Sequence, residues 1–183
     1  MRVISGTARG RRLREPKDMS VRPTTDKVKE SIFNIIQFDI EGRRALDLFA
    51  GSGQLGIEAL SRGAAQCVFV DRAAESVKLV RENLKLTGLE ARARVTAADS
   101  LSFLAGGEKF DLIFLDPPYG TSLLENSIEL VNRFDILREN GIMICESQRE
   151  KVLPEVTEPY FKMREYAYGK IKLTTYSRKA ANP

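Results

Sequence analysis

Ala45-Leu46-Asp47-Leu48-Phe49-Ala50-Gly51-Ser52-Gly53-Gln54-Leu55-Gly56 is the stretch on which the reading of this 183-residue chain turns. The apolar run that opens it is too short for a helix. It enters a glycine-rich corner, and Leu55, Ile57, Ala59 and Leu60 leave that corner at helical spacing, which reads as strand, loop, helix. Glycine suits such a corner because it reaches backbone angles closed to other residues and lets a ligand approach without a Cβ in the way. The helix that follows offers unpaired N–H groups and the positive end of its dipole. Gly51, Gly53 and Gly56 satisfy the G-x-G-x-x-G fingerprint, and Asp71 ends the next apolar run, Cys67 to Val70. A carboxylate about 20 residues past the glycines is placed to bond ribose hydroxyls. The pair predicts a nucleoside-bearing cofactor; the competing explanation is a glycine turn in an α/β scaffold with Asp71 capping the next helix.

Outward from the corner, strand and helix patterns alternate. Helical spacing over Leu55 to Arg62 stops at Gly63, a strand covers Cys67 to Asp71, and an amphipathic helix runs from Ala74 to Thr87 with Gly88 as its C-cap. Further strands are expected at Ala93 to Ala97, Phe110 to Leu115 and Ile142 to Glu146, with helices after Asp99-Ser100 and from Leu123 to Phe134. Continuous apolar strands separated by helices imply an α/β, doubly wound, mostly parallel sheet. Phe161 to Tyr168 and Ile171 to Tyr176, joined by Gly169-Lys170, end it as an antiparallel hairpin. Before the corner, Arg2-Val3-Ile4 and Arg12-Leu13 form a small hairpin. Arg22-Pro23-Thr24-Thr25-Asp26 then stops and caps a helix carrying Val28, Ile32, Phe33, Ile35 and Ile36. The expectation is a single domain over 1–183, with 1–40 as a basic N-terminal extension.

Composition narrows the function. A hydrophobic fraction of 43% and the lack of any apolar stretch of membrane-spanning length predict a soluble, cytoplasmic globular protein, with no membrane partner. Both cysteines, Cys67 and Cys145, sit in apolar strands and read as reduced, buried thiols. Histidine is absent, which removes the commonest general base and metal ligand; no metal site is expected. The net charge of +4 is concentrated at the start, where Arg2, Arg9, Arg11, Arg12, Arg14 and Lys17 face the single acid Glu15. Such a patch fits a polyanion, or serves as a solvated basic arm.

Asp47, Asp71, Asp99 and Asp116 all fall at carboxyl ends of strands, where open parallel sheets bind ligands. So many carboxylates at one rim suit a pyrophosphate poorly. An adenosine-type cofactor without phosphate, even a cationic one, suits them better. Asp116-Pro117-Pro118-Tyr119 is the most specific motif. Its prolines fix φ and delete two N–H donors, leaving the Asp116 carboxylate and the Pro117 carbonyl as acceptors beside an aromatic ring. That arrangement receives a planar group bearing an NH2, held at its edge and stacked on its face.

Leu46-Asp47-Leu48-Phe49-Ala50-Gly51-Ser52-Gly53 together with Asp116-Pro117-Pro118-Tyr119 resembles the S-adenosylmethionine-dependent, Rossmann-like class I methyltransferases that modify exocyclic amines of bases. Arg2-Val3-Ile4-Ser5-Gly6, Gly10-Arg11 and the run from Arg22 to Ile35 resemble one branch, the bacterial 16S ribosomal RNA guanine-N2 methyltransferases of the small subunit. The likeness runs from Met1 to about Glu146, and Gln54 departs from the small residue expected there. It implies S-adenosyl-L-methionine as cofactor. Asp47, Phe49, Ala50, Gly51 and Gly53 would form its loop, Asp71 would hold the ribose, and Asp99 and Ser100 would contact the adenine. Asp116, Pro117, Pro118 and Tyr119 would act on the base, and Arg2, Arg9, Arg11, Arg12 and Arg22 would grip RNA. The implied partner is 16S ribosomal RNA or the assembling small subunit, met by a monomer.

Asp116 also bears on the choice of base. Guanine presents adjacent N1–H and N2–H donors to a carboxylate, whereas adenine sets its amine beside an N1 acceptor. The argument leans to guanine, although adenine-N6 enzymes carry the same aspartate. The rivals are an adenine-N6 DNA methyltransferase, a nicotinamide-dependent oxidoreductase, for which no hydride-site acid or base is evident, and a noncatalytic RNA-binding protein that would leave the Asp116 motif idle.

Overall fold

The structure, a computed structural model, describes residues 1–16 and 26–180. Arg22 and the expected cap over 23–25 lie outside the described residues. The elements run α1 (Asp26–Ile35), β1 (Arg44–Asp47), α2 (Gln54–Ser61), β2 (Gln66–Asp71), α3 (Ala74–Thr87), β3 (Ala93–Ala97), α4 (Ser100–Leu104), β4 (Phe110–Leu115), α5 (Leu123–Arg133), β5 (Leu137–Gln148), β6 (Tyr160–Tyr168) and β7 (Ile171–Arg178). One seven-stranded sheet has the order β3-β2-β1-β4-β5-β7-β6. The first five positions are parallel, and β7 is antiparallel to both β5 and β6. The expected terminal hairpin is present but inverted: its second strand joins the sheet and its first lies outermost.

The central strands β1, β2 and β4 are apolar on both faces because both faces are covered. On one side Leu112, Phe114, Cys67 and Phe69 pack with Val28, Ile32 and Phe33 of α1, Leu55 and Ile57 of α2, and Val80 and Leu84 of α3. On the other, Leu46, Val68, Ile113 and Met143 pack with Leu104 of α4 and Leu124, Ile128 and Val131 of α5. The reversal of strand order between β1 and β4 opens a crevice above their carboxyl ends, the position at which such sheets take ligands.

The N-terminal segment packs onto this domain. Arg2 and Arg12 bridge antiparallel, Val3 N–H donates to the Arg11 carbonyl at 2.9 Å, and Val3, Ala8 and Leu13 are buried in the first core. At the tip Gly6 adopts φ +82° and lies so near the Ser61 carbonyl that any side chain would collide with it. Beneath, Glu58 of α2 accepts the Ile4 and Ser5 amides at 2.8 and 3.0 Å, and Lys29 of α1 donates to the Arg2 carbonyl. Cys67 and Cys145 are buried free thiols. Among the described residues no helix is long and apolar enough to cross a membrane.

Candidate active site

A cleft of about 490 Å³ opens at the carboxyl ends of β1, β2, β4 and β5. Phe49, Gly51 and Asp71 line one part of it, Asp99 and Ser100 another, and Asp116, Pro117, Pro118 and Tyr119 a third. Residues as distant in sequence as Phe49 and Tyr119 are thus gathered round one cavity. Another cleft of similar volume lies beside Asp135 and Arg178, at the opposite ends of the strands, and holds none of these residues.

The three glycines of the corner do different work. Gly51 adopts φ +52° with nothing but the Phe49 carbonyl within 4.0 Å of where a Cβ would stand, so it leaves the cleft floor clear. Gly53 adopts φ +78°, and its missing Cβ would meet Val80 and Ile57 at 3.2–3.4 Å. Gly56 lies so close to the Phe69 ring and the Cys67 sulfur that only glycine lets α2 settle on β2. Gly53 and Gly56 serve turn and packing; neither lines the cleft.

The acidic rim sorts by burial. Asp71 Oδ2 accepts the Gly51 amide and Oδ1 the Ala73 amide, both at 2.9 Å, which fixes the carboxylate while leaving each oxygen further acceptor capacity. Asp99 caps α4 by accepting the Ser102 amide at 2.9 Å, a bond that holds its carboxyl below the usual range. Ser100 is buried and donates to the Leu48 carbonyl. Asp47 does not reach the cleft: it is 3% exposed and braces α2 by accepting the Gly56 amide at 2.9 Å. Burial, together with nearby Asp116 and Asp71, pushes its carboxyl up to about 7 despite that bond.

Tyr119 is 42% exposed and donates its hydroxyl to Glu146 Oε1 at 2.9 Å, which pins an exposed ring at the cleft mouth. Glu146 is a lining residue that the sequence reading passed over. Its signal was present: an acid closing the apolar run Ile142 to Cys145, as Asp71 closes its own. Asn83 of α3 was also missed. Fully buried, it donates to the Ser52 and Arg14 carbonyls at 2.9 and 3.1 Å and accepts the Arg14 amide at 2.7 Å, fastening the corner loop to the N-terminal segment. Arg9, Arg11 and Arg12 are exposed on that segment, outside the cleft, and Arg2 pairs with Asp26 at 3.7 Å.

The sequence model of the family described as conserved hypothetical protein 95 matches residues 1–177. Ribosomal RNA small subunit methyltransferase D of Escherichia coli (strain K12) is 39% identical over 184 residues, covering 98% of this chain and 91% of that protein. The chain belongs to this methyltransferase family. A second relative, YlbH of Bacillus subtilis (strain 168), named provisionally for rRNA methylation, is 44% identical over 98% of this chain and its own full length. The solved structure of yhhF from Escherichia coli, described as a candidate methyltransferase, superposes with TM-score 0.88 at 36% identity over 99% of both chains. The fold is accordingly that of the Rossmann-like class I methyltransferases, with S-adenosylmethionine as the cofactor. The cleft suits that molecule. Gly51 leaves the floor open, Asp71 offers acceptors to a diol, and Asp71, Asp99 and Asp116 together favour a cation over a phosphate.

Proposed function

We propose that this protein methylates the exocyclic N2 amine of a guanine in 16S ribosomal RNA, acting on the small ribosomal subunit. The observation that carries the reading is the presence of Asp71 and the Asp116-Pro117-Pro118-Tyr119 turn on one cleft. A nucleoside cofactor and an amino-bearing base have separate seats there. The small-subunit substrate is supported by the name of the relative from Escherichia coli, and the guanine by the match between one carboxylate and the N1–H/N2–H edge.

In this reading Asp71 holds the ribose, Asp99 and Ser100 flank the adenine, and Phe49, Ala50, Gly51 and Gly53 shape the loop that Asp47 braces from below. When bound, S-adenosylmethionine supplies an electrophilic methyl on a sulfonium. Asp116 and the Pro117 carbonyl accept hydrogens of the amine, returning lone-pair density that the ring withdraws. Tyr119 stacks on the base. A base pulled from its stack is needed to fill such a pocket, which favours an unpaired nucleotide. After transfer the nitrogen is acidic and passes its proton to Asp116 or water, so no histidine is required. Alignment supplies most of the acceleration, for which about 7–11 kcal/mol is available in principle. Arg9, Arg11 and Arg12, with Arg2 and Arg22, grip RNA phosphates. The protein acts as a monomer, working where ribosomes are assembled.

The test is to incubate the protein with labelled S-adenosylmethionine and, separately, ribosomal RNA, small subunits and duplex DNA, and to identify the methylated nucleoside by mass spectrometry. N2-methylguanosine in RNA is expected. Label confined to duplex DNA as N6-methyl-2′-deoxyadenosine would establish the rival reading instead.

A further inference from the structure

We propose that Glu146 is a specificity-determining residue that reads the N1–H of the target guanine while Asp116 takes its N2 amine. The inference rests on the guanine reading above and divides between two carboxylates the N1–H/N2–H edge that the reading gave to Asp116 alone. Leu115 of β4 and Cys145 of β5 are register partners in a parallel pair, so Asp116 and Glu146 are the next residues along adjacent strands. Parallel strands lie about 4.8 Å apart, and residues in register face the same side of the sheet. Both residues line the cleft, and Glu146 is 5% exposed there.

A buried carboxylate at the end of an otherwise apolar strand is costly to keep unless it is bonded. Tyr119 supplies such a bond, donating its hydroxyl to Oε1 at 2.9 Å. The bond has two effects. It holds the ring at the mouth, where a base can stack, and it orients the Glu146 carboxylate within the cavity that Asp116 also faces. Two neighbouring acceptors, fixed side by side, complement two neighbouring donors. Guanine supplies them as N1–H and N2–H. Adenine supplies a donor beside an acceptor, so its N1 lone pair would meet a carboxylate oxygen. A site built to bond a donor discriminates steeply against a ligand that lacks it.

The experiment compares the wild-type protein with Glu146→Gln and Tyr119→Phe on small subunits from cells lacking this protein. It records kcat, KM for subunits, cofactor affinity by calorimetry and the methylated nucleoside by mass spectrometry. Glu146→Gln is expected to lose about 10–100-fold in kcat/KM for subunits, the range for a hydrogen bond to a charged group, with cofactor affinity within twofold of wild type. Tyr119→Phe should lose less, because Glu146 is still present.

A Glu146→Gln protein as active as wild type would overturn the inference. So would equal losses in the two variants, which would make Glu146 merely a prop for Tyr119, or a collapse of cofactor affinity, which would place it against the cofactor. Should Glu146→Gln fail to melt cooperatively, Glu146→Asp keeps the charge and withdraws it by one methylene, and is read by the same criteria. N6-methyladenosine from the wild-type protein would remove the guanine reading and this inference together. N2-methylguanosine with an indifferent Glu146→Gln would remove this inference alone.

Discussion

Lys29 and Glu58 face each other across 3.9 Å with both side chains wholly withdrawn from solvent. Burial pulls the lysine ammonium below its ordinary range, while Glu58 and Asp26 oppose that shift. The pair does more than join α1 to α2, because Glu58 also accepts two amides of the N-terminal segment and Arg62 Nε at 2.8 Å, and Lys29 caps the Arg2 carbonyl.

Breaking one partner should therefore cost more than deleting both. Glu58→Gln leaves a buried ammonium with only the half-exposed Asp26 at 4.0 Å as counter-charge, and a loss of about 3 kcal/mol in urea unfolding is expected. The double variant Lys29→Met with Glu58→Gln should recover part of it. Trypsin should also cut the Glu58→Gln protein faster at Arg9, Arg11 and Arg12. Single and double variants of equal stability would mean that the pair is not a unit.

Asp116 is placed against the base, so Asp116→Ala should retain cofactor affinity and lose at least about 100-fold in turnover, the lower range for a positioned proton acceptor. Calorimetry and single-turnover assays check the two halves. Abolished cofactor binding would move Asp116 to the other ligand.

The raised carboxyl of Asp47 has a pH signature. Below pH 4 it is protonated folded or unfolded. Above that the unfolded chain releases the proton at the ordinary 3.8, while the folded protein holds it until about 7. The folded state thus binds the extra proton in this window, and its stability falls as pH rises from about 4 to 7, then levels. Asp47→Asn keeps an acceptor for the Gly56 amide and removes the titration. Its stability relative to wild type should climb through that window by a few kcal/mol, following the scale of about 1.4 kcal/mol per pK unit. A constant difference between the two proteins across pH 4–8 would show that Asp47 keeps its ordinary affinity for protons.

Exposed arginines on the N-terminal segment should act through salt. Replacing Arg9, Arg11 and Arg12 by alanine removes up to three phosphate contacts, each worth about 0.7–0.9 in the slope of log K against log salt. The slope for ribosomal RNA should fall by about 2 to 3 while cofactor affinity is kept, since none of the three lines the cleft. An unchanged slope would identify the segment as a solvated arm.

What the sequence revealed followed from local physics. The span of α3 was legible because its apolar spacing is uninterrupted and Gly88 supplies the left-handed cap at φ +72°. β4 was legible because it is a closed apolar run. β5 was read as starting at Ile142, but it begins at Leu137, because Arg138, Glu139 and Asn140 are exposed and a register shift against β4 accompanies them. No short-range pattern announces such a bulge. The position of β7 between β5 and β6 depends on pairings remote in sequence, and so was invisible. Lys29 and Glu58 were overlooked because charged residues on amphipathic helices ordinarily face water; only the segment packed over them makes this pair an exception. At the cleft, the strand-end rule found Asp71, Asp99 and Asp116 but was not carried on to Glu146.

The inversion of the last hairpin bears on how the molecule is made. As the chain emerges from its own ribosome, β6 appears before its neighbour, and β5 waits with a vacant edge until β7 is released. Ile171, at the beginning of β7, is also a wall of the cleft. The same late strand that seals the sheet supplies the last wall of the pocket, so the cleft and the fold are completed together.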